Sequence, residues 1–460
     1  MDGMTIDTAL TELSILLGDR LSRSKSDLDA HGQSESHFAP APPDAVLWPT
    51  TTDEVSRILA ICHAHDCPVI AYGAGTSLEG HTSAIQGGVT LDMSRMNQLL
   101  SADPGDMVAV VQPGLTREEL NLELRATGMF FSVDPGANAT IGGMAGTRAS
   151  GTTTVRYGSM RDNVLALEVV LADGRVIRTG SRAAKSAAGY DLTALFLGSE
   201  GTLGVITELT LRLQGQPEAI SAGVCAFKRI EDAVGAVQQT IQMGIPMARI
   251  EFVDTMSVRA VNAYAGTQMP EVPHLLVEFH GSDSAVAQDA DMFGEIARDF
   301  GATGFESATL AEDRNRLWEV RHKAYYACLG LRPGAQAIVT DICVPISKLA
   351  QAVTETRADI DASHIPGPIL GHVGDGNFHA ILLVDRDNPV EMAEAKRLAA
   401  RMTERALVLG GTVTGEHGVG MGKLAYMPAE HGAGWDVMGD IKRALDPTGI
   451  LNPGKVIRGN

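Results

Sequence analysis

Asp134-Pro135-Gly136-Ala137-Asn138-Ala139-Thr140-Ile141-Gly142-Gly143-Met144-Ala145-Gly146-Thr147 runs on through Ser150-Gly151-Thr152 to Tyr157-Gly158. Six glycines in this stretch serve no core. Small residues and hydroxyls at such density let a backbone lie along an extended ligand with little side-chain bulk between them.

Two further clusters share this texture. Tyr72-Gly73-Ala74-Gly75-Thr76-Ser77-Leu78-Glu79-Gly80 follows a strand expected at Pro68–Tyr72, so its N–H groups suit a pyrophosphate. Its spacing fails GxGxxG, and no other part of the chain supplies that fingerprint, which argues against a bound NAD. Gly198-Ser199-Glu200-Gly201-Thr202-Leu203-Gly204-Val205-Ile206-Thr207 opens into a strand.

Around these loops the chain alternates short strands and helices. Thr51 with Glu54, and Thr116 with Glu119, have capping-box spacing. The first predicts a helix burying Val55, Ile58, Leu59 and Cys62, and the second a helix stopping at Gly128. Ala166–Leu171, Asp173-Gly174 and Val176–Arg178 read as a hairpin. From Ile220 to about Val413 the alternation lengthens, with a helix expected within Phe227–Gly244, a strand at Leu275–His280 and a helix at Ser284–Phe300.

A chain of 460 residues exceeds one ordinary core and implies two or three domains. A net charge of −19, from 56 acidic against 37 basic residues, argues against nucleic acid as a partner. The five cysteines are scattered without a paired framework, which suits a reducing compartment. Met1–Arg20 lacks the character of a signal or transit peptide, and no apolar run approaches the roughly 20 residues of a membrane span. A cytoplasmic location is expected.

In the second half, His372 and His379 bracket the turn Gly374-Asp375-Gly376-Asn377, and an apolar strand should follow over Phe378–Val384. Gly415-Glu416-His417-Gly418 adds a carboxylate and a third imidazole on a glycine-flanked loop. Such an N/O set suits Zn, Mn or Fe(II) with positions left open for substrate.

The glycine clusters in their order, together with Leu451-Asn452-Pro453-Gly454-Lys455, resemble the PCMH-type FAD-binding domain of the vanillyl-alcohol oxidase family of flavoproteins. The resemblance implies an α+β fold: an FAD-binding domain of two α/β subdomains over 1–216, a substrate or cap domain with an antiparallel sheet over 217–414, and a segment over 415–460 returning to the first domain. It implies noncovalent FAD held at Gly73, Ala74, Gly75, Thr76, Ser77 and Gly80. Further contacts are implied at Pro135, Gly136, Thr140, Gly142, Gly143, Gly146, Thr147, Gly151 and Gly158. Glu200, Gly201, Gly204, Val205 and Ile206 follow, with Asn452 near the isoalloxazine ring. His81 is expected to be a bystander.

His372-Val373-Gly374-Asp375-Gly376-Asn377-Phe378-His379 paired with Thr414-Gly415-Glu416-His417-Gly418 is similar to the D-lactate and D-2-hydroxyglutarate dehydrogenase branch of that family. This implies a divalent metal on His372, His379 and Glu416, with His417 as the base facing the flavin. Arg321 matches the branch's arginine for the substrate carboxylate, and Tyr325 is a second candidate contact. A metal on the substrate hydroxyl lowers its pKa while a neutral histidine takes the proton, and FAD accepts the hydride.

Where hydroxyglutarate-specific members carry an asparagine two residues after the second histidine, this chain has Ile381. An apolar residue there leaves a second carboxylate unpaired, at roughly 1–3 kcal/mol. D-lactate or an aliphatic homologue is therefore expected. The alternatives are a D-2-hydroxyglutarate dehydrogenase, the flavoprotein subunit of a glycolate oxidase, a non-redox flavoprotein alkyl transferase, and a flavin-free metal hydrolase. The electron acceptor is open between quinone, cytochrome and an electron-transfer flavoprotein, and a homodimer is possible.

Overall fold

The computed structural model describes residues 3–183 and 185–457. The chain divides into two compact units. The first comprises residues 1–150, 158–216 and 416–460, and the second comprises 151–157 and 217–415. The backbone thus passes from one unit to the other four times.

The first unit holds two main sheets. A four-stranded sheet runs in the order Leu21–Ser22, Ala45–Leu47, Val89–Asp92, Val69–Tyr72; its first pair is antiparallel and the others are parallel. The helix Thr52–Ala64 covers it, burying Val55, Ile58, Leu59 and Cys62 as the 3.6-residue spacing requires. Thr51 caps that helix by accepting from Glu54 N. The expected reciprocal half is missing, because the Glu54 carboxylate instead accepts from Thr50 N and Arg20.

A five-stranded antiparallel sheet follows, ordered Leu99–Asp103, Val108–Val111, Val205–Arg212, Val164–Val170, Val176–Gly180. The hairpin Val164–Val170 with Val176–Gly180 is the one that Asp173-Gly174 announces. Thr116 and Glu119 form the full capping box of the helix Arg117–Leu124, and the chain turns out at Gly128 with φ 73°.

The second unit is built on an eight-stranded antiparallel sheet. Its path runs Thr303–Ala308, Ala219–Ala226, His274–Gly281, Met247–Val253, Ile369–Gly371, Asn377–Val384, Gln336–Val339, with Ile342–Cys343 also on Asn377–Val384. The strand Asn377–Val384 is buried throughout and its two faces differ. Phe378, Ala380, Leu382 and Val384 enter the main core beneath the helices Ile230–Gln242, Asp283–Asp299, Leu349–Asp361 and Pro389–Val408. Ile381 and Leu383 join a smaller core with Val253, Leu370 and Trp318, covered by the helices Thr255–Ala265, Ala311–His322 and Ala324–Gly330. Strand alternation puts His379 on this second face.

Residues 151–157 are anchored within the second unit. Tyr157 Oη lies 2.7 Å from His280 Nδ1, and Arg156 donates to Pro246 O at 2.8 Å. No described helix is long and apolar enough to cross a membrane.

Candidate active site

The strand Ile369–Gly371 leads directly into His372, and a short turn Val373–Asp375 brings the chain back into the strand that carries His379. Gly376 closes the turn in the left-handed region, and its carbonyl accepts from Val344 N at 3.0 Å. Asn377 N donates to His372 O at 3.3 Å. The imidazoles of His372 and His379 end with ring centres 5.7 Å apart and planes at 82°.

Each ring is held by its Nδ1 atom. Nδ1–H of His379 donates to Thr340 O at 3.0 Å, and Nδ1–H of His372 donates to Glu251 Oε1 at 2.6 Å. A neutral imidazole with its proton on Nδ1 presents a lone pair at Nε2, the atom a metal takes.

Beside this turn Asp341 is fully buried and accepts from Asn377 Nδ2 at 2.7 Å and from Thr414 Oγ1 at 2.6 Å. A side-chain carbon on Gly415 would stand 2.2 Å from Asn377 Nδ2, so only glycine fits. Glu416 is the next residue along the chain. His372, His379 and Glu416 each offer one ligand atom within 4.8 Å of the others. Two imidazoles and a carboxylate make a donor set that fits a divalent metal. His417 follows Glu416 and is half-buried.

Arg321, on the helix Ala311–His322, donates from Nε to Glu251 Oε2 at 2.7 Å and is 13% exposed. This uses one of the five donors of its guanidinium. Tyr325 packs partly buried against the smaller core, its ring 5.5 Å from Tyr326. Ile381 is 1% exposed in that same core.

Glu251 and Asp341 were not singled out from the sequence, although each is fully buried. An acid set between two apolar neighbours, as in Ile250-Glu251-Phe252, is the one mark that points to Glu251. Burial raises the Glu251 carboxyl pKa, but His372 and Arg321 outweigh it and hold the group below its ordinary value.

In the first unit the glycine loops divide by role. Gly75 and Gly201 sit at φ 68° and 72°. Side-chain carbons on Gly136 and Gly146 would meet open space. Gly142 has a packing reason of its own to be glycine: a carbon there would lie 2.5 Å from the Pro113 ring. It lies in the short helix Ile141–Thr147, which Thr140 caps through Gly143 N. The hydroxyl oxygen of Ser77 is buried with no partner among the described residues. Such an orphan costs about 1–3 kcal/mol unless a ligand satisfies it.

Asn452 commits its amide to the fold, donating to His81 O at 3.1 Å and Glu200 O at 2.8 Å while accepting from Lys455 Nζ at 2.9 Å. The Glu200 carboxylate accepts from Val419 N and Gly420 N, three and four residues past Glu416. His81, expected to stand aside from flavin attachment, is packed inside the first unit. It is 6% exposed with Nε2 3.1 Å from Glu200 Oε2. Burial lowers its pKa, and the Glu200 and Glu79 carboxylates outweigh that to leave it raised.

The chain matches two family models: the FAD binding domain over residues 43–180 and the C-terminal domain of FAD linked oxidases over residues 216–456. It is 45% identical over 457 residues to a probable mitochondrial D-lactate dehydrogenase of Danio rerio, covering 98% of this chain and 92% of that one. It is 43% identical over 451 residues to the mitochondrial D-lactate dehydrogenase (cytochrome) of Arabidopsis thaliana, covering 97% and 80%. Among solved structures, p-cresol methylhydroxylase with substrate bound superposes with a TM-score of 0.79 at 18% identity, over 99% of this chain and 97% of that one. That last likeness speaks for a PCMH-type fold alone.

Proposed function

Since the chain belongs to the FAD-linked oxidase family, we propose that it is an FAD-dependent dehydrogenase oxidising a D-2-hydroxy acid, D-lactate or an aliphatic homologue, to the 2-oxo acid. FAD, when bound, accepts the hydride from C2 of the substrate, and a divalent metal (Zn, Mn or Fe), when bound, makes the substrate hydroxyl more acidic.

The chain's own residues take distinct parts in this reading. The glycine loops with Ser77 bind FAD noncovalently. His372, His379 and Glu416 would hold the metal. Arg321 binds the substrate carboxylate, and its planar fork suits that group better than a lysine would. His417 takes the hydroxyl proton, and Tyr325 and Ile381 line the substrate. The observation that carries the reading is the pair His372 and His379, with both Nδ1 atoms engaged and Glu416 within ligand reach.

The five free cysteines suit a reducing compartment. Cytoplasm is the proposal here, and the mitochondrial placement in the relatives' names belongs to those proteins. The electron acceptor is proposed to be a quinone, a cytochrome or an electron-transfer flavoprotein.

The test is anaerobic mixing of the purified yellow protein with a panel of D- and L-lactate, 2-hydroxybutyrate, 2-hydroxyglutarate and glycolate, with metal analysis on the same sample. Fastest bleaching of the flavin by D-lactate or D-2-hydroxybutyrate is expected. Preference for the dicarboxylate or for glycolate overturns the substrate, and no bleaching by any acid favours the alkyl transferase.

A further inference from the structure

Glu251 has no exposed surface, and its two oxygens serve different partners. Oε1 accepts from His372, 121 residues away in the chain, and Oε2 accepts from Arg321, 70 residues away. A fully buried carboxylate is costly unless every charge around it is answered, and an apolar residue of similar size would commonly pack at no loss. Its neighbour on the same face of the strand, Val253, shows that alternative in place, packed in the smaller core.

The two imidazoles are also held unequally. His379 donates to a neutral carbonyl, Thr340 O, with Asp341 Oδ1 farther off at 3.7 Å, whereas His372 donates directly to a carboxylate at 2.6 Å. A carboxylate partner fixes the tautomer and makes the opposite nitrogen a stronger donor to a metal.

We propose that Glu251 is a positioning residue that joins two tasks in one side chain, fixing His372 as an Nε2 ligand and holding the guanidinium of Arg321 so that metal and substrate carboxylate are presented together. This rests on the reading of His372 as a metal ligand and of Arg321 as the substrate arginine. The shared carboxylate couples the two sites: whatever loosens Glu251 weakens metal binding and substrate binding alike. Arg321→Lys keeps a cation beside Oε2, so it disturbs the substrate side more than the metal side.

The test compares Glu251→Gln, Arg321→Lys and the double variant as flavin-loaded proteins. Zinc affinity is read by competition with a coloured chelator, and D-lactate kinetics are taken at saturating zinc. Glu251→Gln is expected to lose about 10- to 100-fold in zinc affinity while keeping its flavin absorbance. Its KM for D-lactate rises even at saturating metal. Arg321→Lys is expected to raise KM while moving zinc affinity far less than Glu251→Gln does, and the double variant to raise KM by less than the product of the single effects.

Zinc affinity in Glu251→Gln within twofold of wild type overturns the proposal. Wild-type protein that takes up no divalent metal overturns the ligand reading beneath it, and the wild-type trace tells the two failures apart. If Glu251→Gln does not accumulate folded, 15N-histidine NMR of the metal-stripped wild type decides, with the His372 signal assigned by its loss in His372→Ala. An Nδ1–H tautomer supports the inference, and an Nε2–H tautomer overturns it.

Discussion

A side-chain carbon on Gly376 would stand 2.1 Å from the carbonyl oxygen of Val344. Gly376 also sits at φ 81°, so an alanine there meets both a clash and a strained backbone. The turn between His372 and His379 is therefore closed by the absence of a side chain. We expect Gly376→Ala to spread the two imidazoles, to cut bound metal well below one per chain and to lower D-lactate turnover by about 100-fold or more, since a misplacement of about 1 Å is that costly. The flavin spectrum should be retained. Full metal content in this variant would separate the turn from the ligand set.

Ser77 offers a buried hydroxyl without a protein partner. Removing it should weaken FAD binding while leaving the apoprotein no less stable. For Ser77→Ala we expect FAD affinity to fall by roughly 10-fold, the loss of one hydrogen bond to a charged group. Fluorescence titration of the stripped protein with FAD measures it, and an unchanged affinity would place the cofactor elsewhere.

Ile381 lies two residues past His379 on one strand face and packs among apolar neighbours. Ile381→Asn is expected to raise the ratio of kcat/KM for D-2-hydroxyglutarate over D-lactate by more than 10-fold, with a stability loss of about 1–3 kcal/mol from the buried amide. A ratio that does not move would remove Ile381 from the substrate's surroundings.

The Arg20 guanidinium, hydrogen-bonded to Glu54, holds that carboxyl at about 2, below its ordinary 4.5. A depressed carboxylate adds stability that is present above the unfolded value and fades as pH falls from 4.5 toward 2. The pair is partly solvated, so screening keeps its contribution to about 1 kcal/mol. Glu54→Gln should therefore lower the melting temperature by about 1–2 °C at neutral pH. Melting curves taken from pH 7 down to pH 3.5 should draw together as the pH falls, and a constant gap would mean the effect is packing rather than charge.

What the sequence makes legible is what neighbouring residues settle among themselves. Thr116 and Glu119 form their cap because both partners lie in one turn, and Asp173-Gly174 makes its hairpin for the same reason. The turn joining His372 to His379 is equally local. Where a distant partner decides, the local pattern misleads. Glu54 leaves its expected cap for Arg20, 34 residues away. Glu251 meets His372 and Arg321 only after the sheet has formed, so nothing beyond its place between Ile250 and Phe252 marks it beforehand.

The four passages of the backbone between units bear on the order in which a ribosome can finish them. Residues 217–415 emerge as one run, and the segment 151–157 that belongs with them is already outside. The first unit must wait. Leu451 forms a parallel bridge with Val69, and Asn452 N donates to Val69 O at 2.9 Å, so its four-stranded sheet gains these contacts only after residues 217–415 have all emerged. The first unit thus closes after the second has emerged, and until then the open edge at Val69 needs protection from misplaced strands.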